Sequence, residues 1–115
     1  MRIIQKIKET LYRYRGCRYE NIDYENAQII MKNNKQAVLL DVRSPQEYRE
    51  GHLPNAINIP LYDIKQKIEK QVPEKEETLI IYCQTGNRSK SAADICSKKG
   101  YTNIYNIAGG LDEIS

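Results

Sequence analysis

Residues 78–91 read TLIIYCQTGNRSKS. The first five are apolar, β-branched or aromatic, the composition of a strand packed on both faces. The apolar run stops at Cys83, and Gln84, Thr85, Gly86 and Asn87 make a short polar loop. From Arg88 to residue 99 the periodicity changes to helical, with Ala92, Ile95 and Cys96 on one face and Gly100 as a stop. The unit is strand, loop, helix. In a parallel sheet of such units, ligands bind outside the carboxyl ends of the strands, where Cys83 lies. Gly86 permits a positive φ, so the loop N–H groups can turn inward, and the helix start adds free N–H groups and partial positive charge. An anion held there is a thiolate, a persulfide or a bound oxyanion. The expected consequence for Cys83 is a pKa below the free value of about 8.5 and a nucleophilic sulfur near neutral pH. Ser89 and Ser91 supply hydroxyls to steady the sulfur or cap the helix. A small buried residue closing a strand is the bland alternative for Cys83, but it explains neither the polar loop nor the arginine.

Working outward, residues 37–42 (AVLLDV) and 56–59 (AINI) read as short strands, and 103–107 (NIYNI) as a last one before Ala108-Gly109-Gly110. Between them, 24–32 and 61–70 carry apolar residues at helical spacing. Ser44-Pro45-Gln46-Glu47 opens a further helix: Ser44 can cap, Pro45 suits the first turn, and Glu47 can close a capping box before Gly51 ends the helix. Short strands alternating with helices predict an α/β fold with a parallel sheet.

The chain has 115 residues, 40% hydrophobic and 29% charged, which suits one folded domain with a short appendage. The net charge of +3 is uneven. Residues 1–19 hold six basic residues against Glu9, net +5, and the rest of the chain is −2. Ile3, Ile4, Ile7, Leu11 and Tyr14 have near-helical spacing, so residues 3–14 are expected to form an amphipathic helix stopped at Gly16, within a basic extension over 1–19 that precedes a domain over 20–115. Its simplest role is to pack on the domain or on a second copy. Docking to a partner protein and lying on an anionic membrane surface are the sharper readings. RNA contact through Arg13, Arg15 and Arg18 is a weaker one, and no nucleic acid partner is expected. No apolar run approaches the roughly 20 residues of a membrane span. The N-terminus lacks the apolar stretch of a signal peptide, so the cytoplasm is the expected compartment. Three cysteines without an export signal argue against a disulfide framework.

The segment 83–89 (CQTGNRS) resembles the active-site loop of rhodanese-type sulfurtransferases. Residues 40–48 (LDVRSPQEY), followed by 51–60 (GHLPNAINIP), resemble the family's other diagnostic segment. Gly100-Tyr101 with Ile104, then Gly109-Gly110, resembles its closing strand and loop. The resemblance runs over roughly residues 20–110, in order. It implies a rhodanese-like domain over 20–115, built on a parallel five-stranded sheet flanked by helices. It also implies that Cys83 takes sulfur from an anionic donor such as thiosulfate, holds it as a persulfide and passes it to a thiol, cyanide or a partner protein's cysteine. Arg88 and the loop residues Gln84, Thr85, Gly86, Asn87 and Ser89 would hold the anions, with no metal or organic cofactor. A second class of function is a non-catalytic or partner-dependent sulfur-relay module, docked through 1–19.

Cysteine-dependent phosphatases are the nearest rival chemistry. They place five residues between cysteine and arginine, whereas four stand here, and a shorter cradle fits a sulfur atom better than a phosphate. His52, the only histidine, is expected to be structural rather than a base for Cys83. Asp41 and Arg43 are expected to pair with each other, or Arg43 with Glu47. Cys96 reads as core. Cys17 reads as an exposed thiol, with a resolving or relay role as the alternative. After Gly110 only five residues remain, without tryptophan, which leaves the cover of the C-terminal edge open.

Overall fold

The 78–82 run is the central strand of the sheet. The computed structural model describes residues 18–114. The strands are β1 (Glu20–Ile22), β2 (Val38–Asp41), β3 (Ile57–Asn58), β4 (Thr78–Tyr82) and β5 (Asn103–Ile107). All pairings are parallel, in the order β1-β5-β4-β2-β3. The helices are α1 (Tyr24–Asn33), α2 (Pro45–Glu50), α3 (Leu61–Gln71) and α4 (Asn87–Lys98), followed by a 3-10 turn, Gly110–Glu113.

Period-two alternation along β4 divides the core. Leu79, Ile81 and Cys83 point to one side, against Ile64 and Ile68 of α3 and Ala92 and Cys96 of α4. Ile80 and Tyr82 point to the other, against Ala27 of α1, with Tyr48 of α2 packed alongside. Leu79, Ile80 and Ile81 are fully buried, and each contributes roughly 1.5–3 kcal/mol of hydrophobic stabilisation. Because α2 leaves β2 on one face while α4 leaves β4 on the other, the carboxyl ends of these neighbouring strands flank a crevice.

Several expectations shift in the structure. The residue pattern marks four strands, whereas β1 is the fifth: three residues, ENI, mostly exposed, without an apolar run to betray them. It is held by pairing to β5 through Asn21↔Asn106 and its neighbours. β3 shrinks to two residues at the sheet edge. α4 starts one residue early, at Asn87, because Gly86 serves as its N-cap. The α2 capping box forms as expected: Glu47 N donates to Ser44 Oγ at 3.2 Å, and Ser44 N donates to Glu47 Oε1 at 3.0 Å. After Gly109 the chain forms the 3-10 turn, whose Leu111 packs against the core on the α1 side. The helix expected within 1–19 and Cys17 lie outside the described residues, while Tyr19 packs against the core on the α3–α4 side. Among the described residues no helix is long and apolar enough to cross a membrane.

Candidate active site

Cys83 follows the last residue of β4, and its side chain is turned toward the start of α4. Gly86 N donates to its Sγ at 3.1 Å and Ser89 N at 3.3 Å. Ser89 Oγ lies 3.4 Å from the sulfur and 3.1 Å from the Gly86 carbonyl oxygen, to which it donates. A hydroxyl has one proton, so Ser89 serves the carbonyl while the sulfur is a thiol and can turn to the sulfur once it ionises. Gly86 has φ +101°, the left-handed region a β-carbon resists, and this turn aims its N–H inward. A Cβ at Gly86 would also stand 3.0 Å from the Gly109 nitrogen.

Burial is the largest influence on the Cys83 thiol and pushes its pKa up. The Ser89 hydroxyl and the N–H groups of Ser89, Gly86 and Thr85 outweigh it together, so the net shift is downward.

The loop is buttressed from the C-terminus. Leu111 N donates to the Cys83 carbonyl and Asp112 N to the Gln84 carbonyl, each at 3.0 Å, and Gln84 Nε2 donates to Asp112 Oδ1 at 2.7 Å. Gly110 makes this approach possible, since a Cβ there would overlap the carbonyl oxygens of Cys83 and Gln84.

A family model, described as the rhodanese-like domain, matches residues 25–115. The chain belongs to this family. The thiosulfate sulfurtransferase PspE of Escherichia coli (strain K12) is 45% identical to it over 76 residues, 66% of this chain and 72% of that protein. The thiosulfate sulfurtransferase GlpE of Pseudomonas syringae pv. syringae is 30% identical over 94 residues, 82% of this chain and 85% of that one. Among solved structures, a rhodanese with anions from E. coli matches with a TM-score of 0.63 at 43% identity, covering 69% of this chain and 92% of the other.

Within this rhodanese-like domain, the residues singled out from the sequence part into groups. Cys83, Gly86 and Ser89 meet at the sulfur. Thr85 on the loop and Asn87 at the first position of α4 are exposed, and the Gln84 side chain is engaged by Asp112 and, at 3.4 Å, by Arg43 Nη1. Ser91 is exposed, because it lies two residues past Ser89 on the helix and turns away. His52 stacks on Tyr48 with ring centroids 3.7 Å apart, and its Nδ1 lies 2.8 Å from the Tyr48 carbonyl oxygen. It is exposed, and these contacts are with Tyr48 rather than with the Cys83 loop. Arg43 pairs with Asp41 at 2.8 Å, both buried, and also donates to the Gly51 carbonyl at 2.6 Å, bracing the turn after β2.

Glu47 is therefore not the partner of Arg43. It receives Arg88 instead, with Nη1 to Oε1 at 2.7 Å and Nη2 to Oε2 at 2.9 Å. Arg88 and its hydrogen bonds hold the Glu47 carboxyl down to about 2. The sequence pattern points Glu47 to the helix cap or to Arg43, and not to Arg88. A carboxylate has more acceptor capacity than a capping box uses, and that surplus was the available signal.

Proposed function

We propose that this chain is a sulfurtransferase that moves sulfane sulfur from a small anionic donor such as thiosulfate to a thiophilic acceptor through a Cys83 persulfide. The observation that carries the reading is the convergence of two backbone N–H groups, Gly86 from the loop and Ser89 from the first turn of α4, on one sulfur atom. Relatives named as thiosulfate sulfurtransferases support the reaction class.

In the first half-reaction the Cys83 thiolate attacks the outer sulfur of thiosulfate. The donor S–S bond breaks, and sulfite leaves with the electron pair. In the second, cyanide or a thiolate attacks the terminal persulfide sulfur, and the electron pair of the broken bond returns to Cys83 Sγ. Both half-reactions begin and end with negative charge at the loop, where fixed N–H groups stabilise it without reorganising. The oriented donors and the helix start lower the thiol pKa, so no adjacent base is required. Gln84, Thr85 and Asn87 would line the approach, and Arg88 would stand at its edge.

Incubation with thiosulfate followed by mass spectrometry should add one sulfur to the Cys83 peptide, and cyanide should remove it as thiocyanate. A chain that gains no sulfur from thiosulfate, but gains it from a partner protein, would return the relay reading in place of this one.

A further inference from the structure

The Arg88 guanidinium presents both terminal nitrogens to both oxygens of Glu47. The pair bridges the first turns of α2 and α4, and its side chains are 39% and 30% exposed. Arg88 is coupled electrostatically to Cys83 as well as to Glu47. Two nearby carboxylates are already engaged. Asp41 is matched by Arg43, and Asp112 is held by the neutral Gln84 amide. Arg88 immediately precedes Ser89, whose N–H donates to the sulfur, so its compensation bears on the charge felt there.

We propose that Glu47 is a positioning residue that tunes the charge of the sulfur site: by occupying Arg88 it offsets the cation at the start of α4, leaving the anions to be held by loop N–H groups. The proposal rests on the sulfurtransferase reading of Cys83. A fully exposed positive charge at this point would bind the donor more tightly. It would also stabilise the anionic persulfide, which slows its transfer onward, since stabilising an intermediate more than the following transition state raises that barrier. Compensation by Glu47 favours turnover over capture.

The discriminating variant is Glu47→Gln. Glutamine serves a capping box as glutamate does, so the Ser44 hydrogen bond and the start of α2 persist while the charge is removed. The midpoint pH of Cys83 alkylation by iodoacetamide should fall by roughly half to one unit, and the KM for thiosulfate should fall about three- to tenfold. The rate of persulfide transfer to cyanide should drop. Arg88→Gln should move the alkylation midpoint the opposite way, upward, because Glu47 is then uncompensated. The double variant, Glu47→Gln with Arg88→Gln, removes both charges and should return the midpoint close to that of the parent.

A strut linking two helices behaves differently: both single variants shift the same way and the double variant is no better than either. That pattern overturns the proposal, as does an unchanged midpoint in Glu47→Gln. The alkylation readout involves no sulfur donor, so it judges Glu47 even if the parent chain forms no persulfide, a result that would sink the proposed reaction instead.

Discussion

Cys83 and Cys96 are both 0% exposed and pack in the same core cluster between the sheet and α4. Their chemistry diverges nonetheless. Burial pushes the Cys96 thiol up to about 12, against a smaller lowering by the charges of Lys99 and Lys75. The same burial acts on Cys83, but hydrogen bonds from the loop and from Ser89 reverse it and bring the pKa below the ordinary value. The difference is position along the fold. Cys83 sits where a strand ends and a helix begins, facing unsatisfied N–H groups. Cys96 sits late in α4, where backbone N–H groups are taken up by the helix itself. Enclosure alone pushes a thiol pKa up, and enclosure by aimed donors brings it down.

The sharpest way to break this contrast is to remove the sulfur itself. Cys83→Ala should reduce thiosulfate-dependent sulfur transfer to the uncatalysed background, measured as thiocyanate release, while Cys96→Ala retains it. The next largest effect is expected at the buttress. In Gly110→Ala the new methyl group would collide with the Cys83 and Gln84 carbonyl oxygens. The 3-10 turn must then pull back, breaking the 3.0 Å bonds from Leu111 and Asp112. Overpacking of this kind costs roughly 1–3 kcal/mol, which should lower Tm by several degrees. Activity should fall further than the residual folded fraction accounts for, because the loop loses its backing.

The parts of this arrangement differ in how legible they are from residues alone. The β4 run and the Ser44–Glu47 cap are local statements, written within a few neighbouring positions, and the structure matches them closely. Cys83, Gly86 and Ser89 are legible for the same reason, since all lie within one βα turn. β1 is not, because its three residues owe their extended form to β5, some 85 positions away. The Glu47–Arg88 pair spans 41 positions and competes with a nearer arginine, Arg43, which the buried Asp41 claims first. The C-terminal turn is invisible in pattern because its function is a close backbone approach, permitted by the absence of a side chain at Gly110.

Ser89→Ala is a smaller perturbation that moves Cys83 toward Cys96. It removes the hydroxyl while sparing the Ser89 N–H bond to the sulfur. The thiol pKa should rise, since a donor to the thiolate is lost and burial remains. The alkylation profile should shift to higher pH, and sulfur transfer at neutral pH should fall about tenfold, as expected for one hydrogen bond to a charged group. An unshifted profile would mean that the backbone donors alone hold the sulfur.

The smallest expected effect belongs to Cys96→Ala, and its pH dependence tests the comparison from the other side. Trimming one buried sulfur should cost about 1 kcal/mol near neutral pH and leave the Cys83 alkylation profile in place. The linkage signs of the two thiols are opposite. For Cys96 the folded-state pKa is raised, so its protonated thiol supports the fold fully below the unfolded value, and that support is lost as pH climbs from there to about 12. For Cys83 the folded-state pKa is lowered, so its support is present above the unfolded value and is lost as pH falls through the folded one. Denaturant unfolding of Cys96→Ala should therefore show a deficit against the parent that narrows as pH rises above about 9. Cys83→Ala should show a deficit that widens as pH rises through its lowered pKa. Parallel curves for the two variants would mean that the fold does not distinguish the two sulfurs, and the contrast drawn from their surroundings would fail.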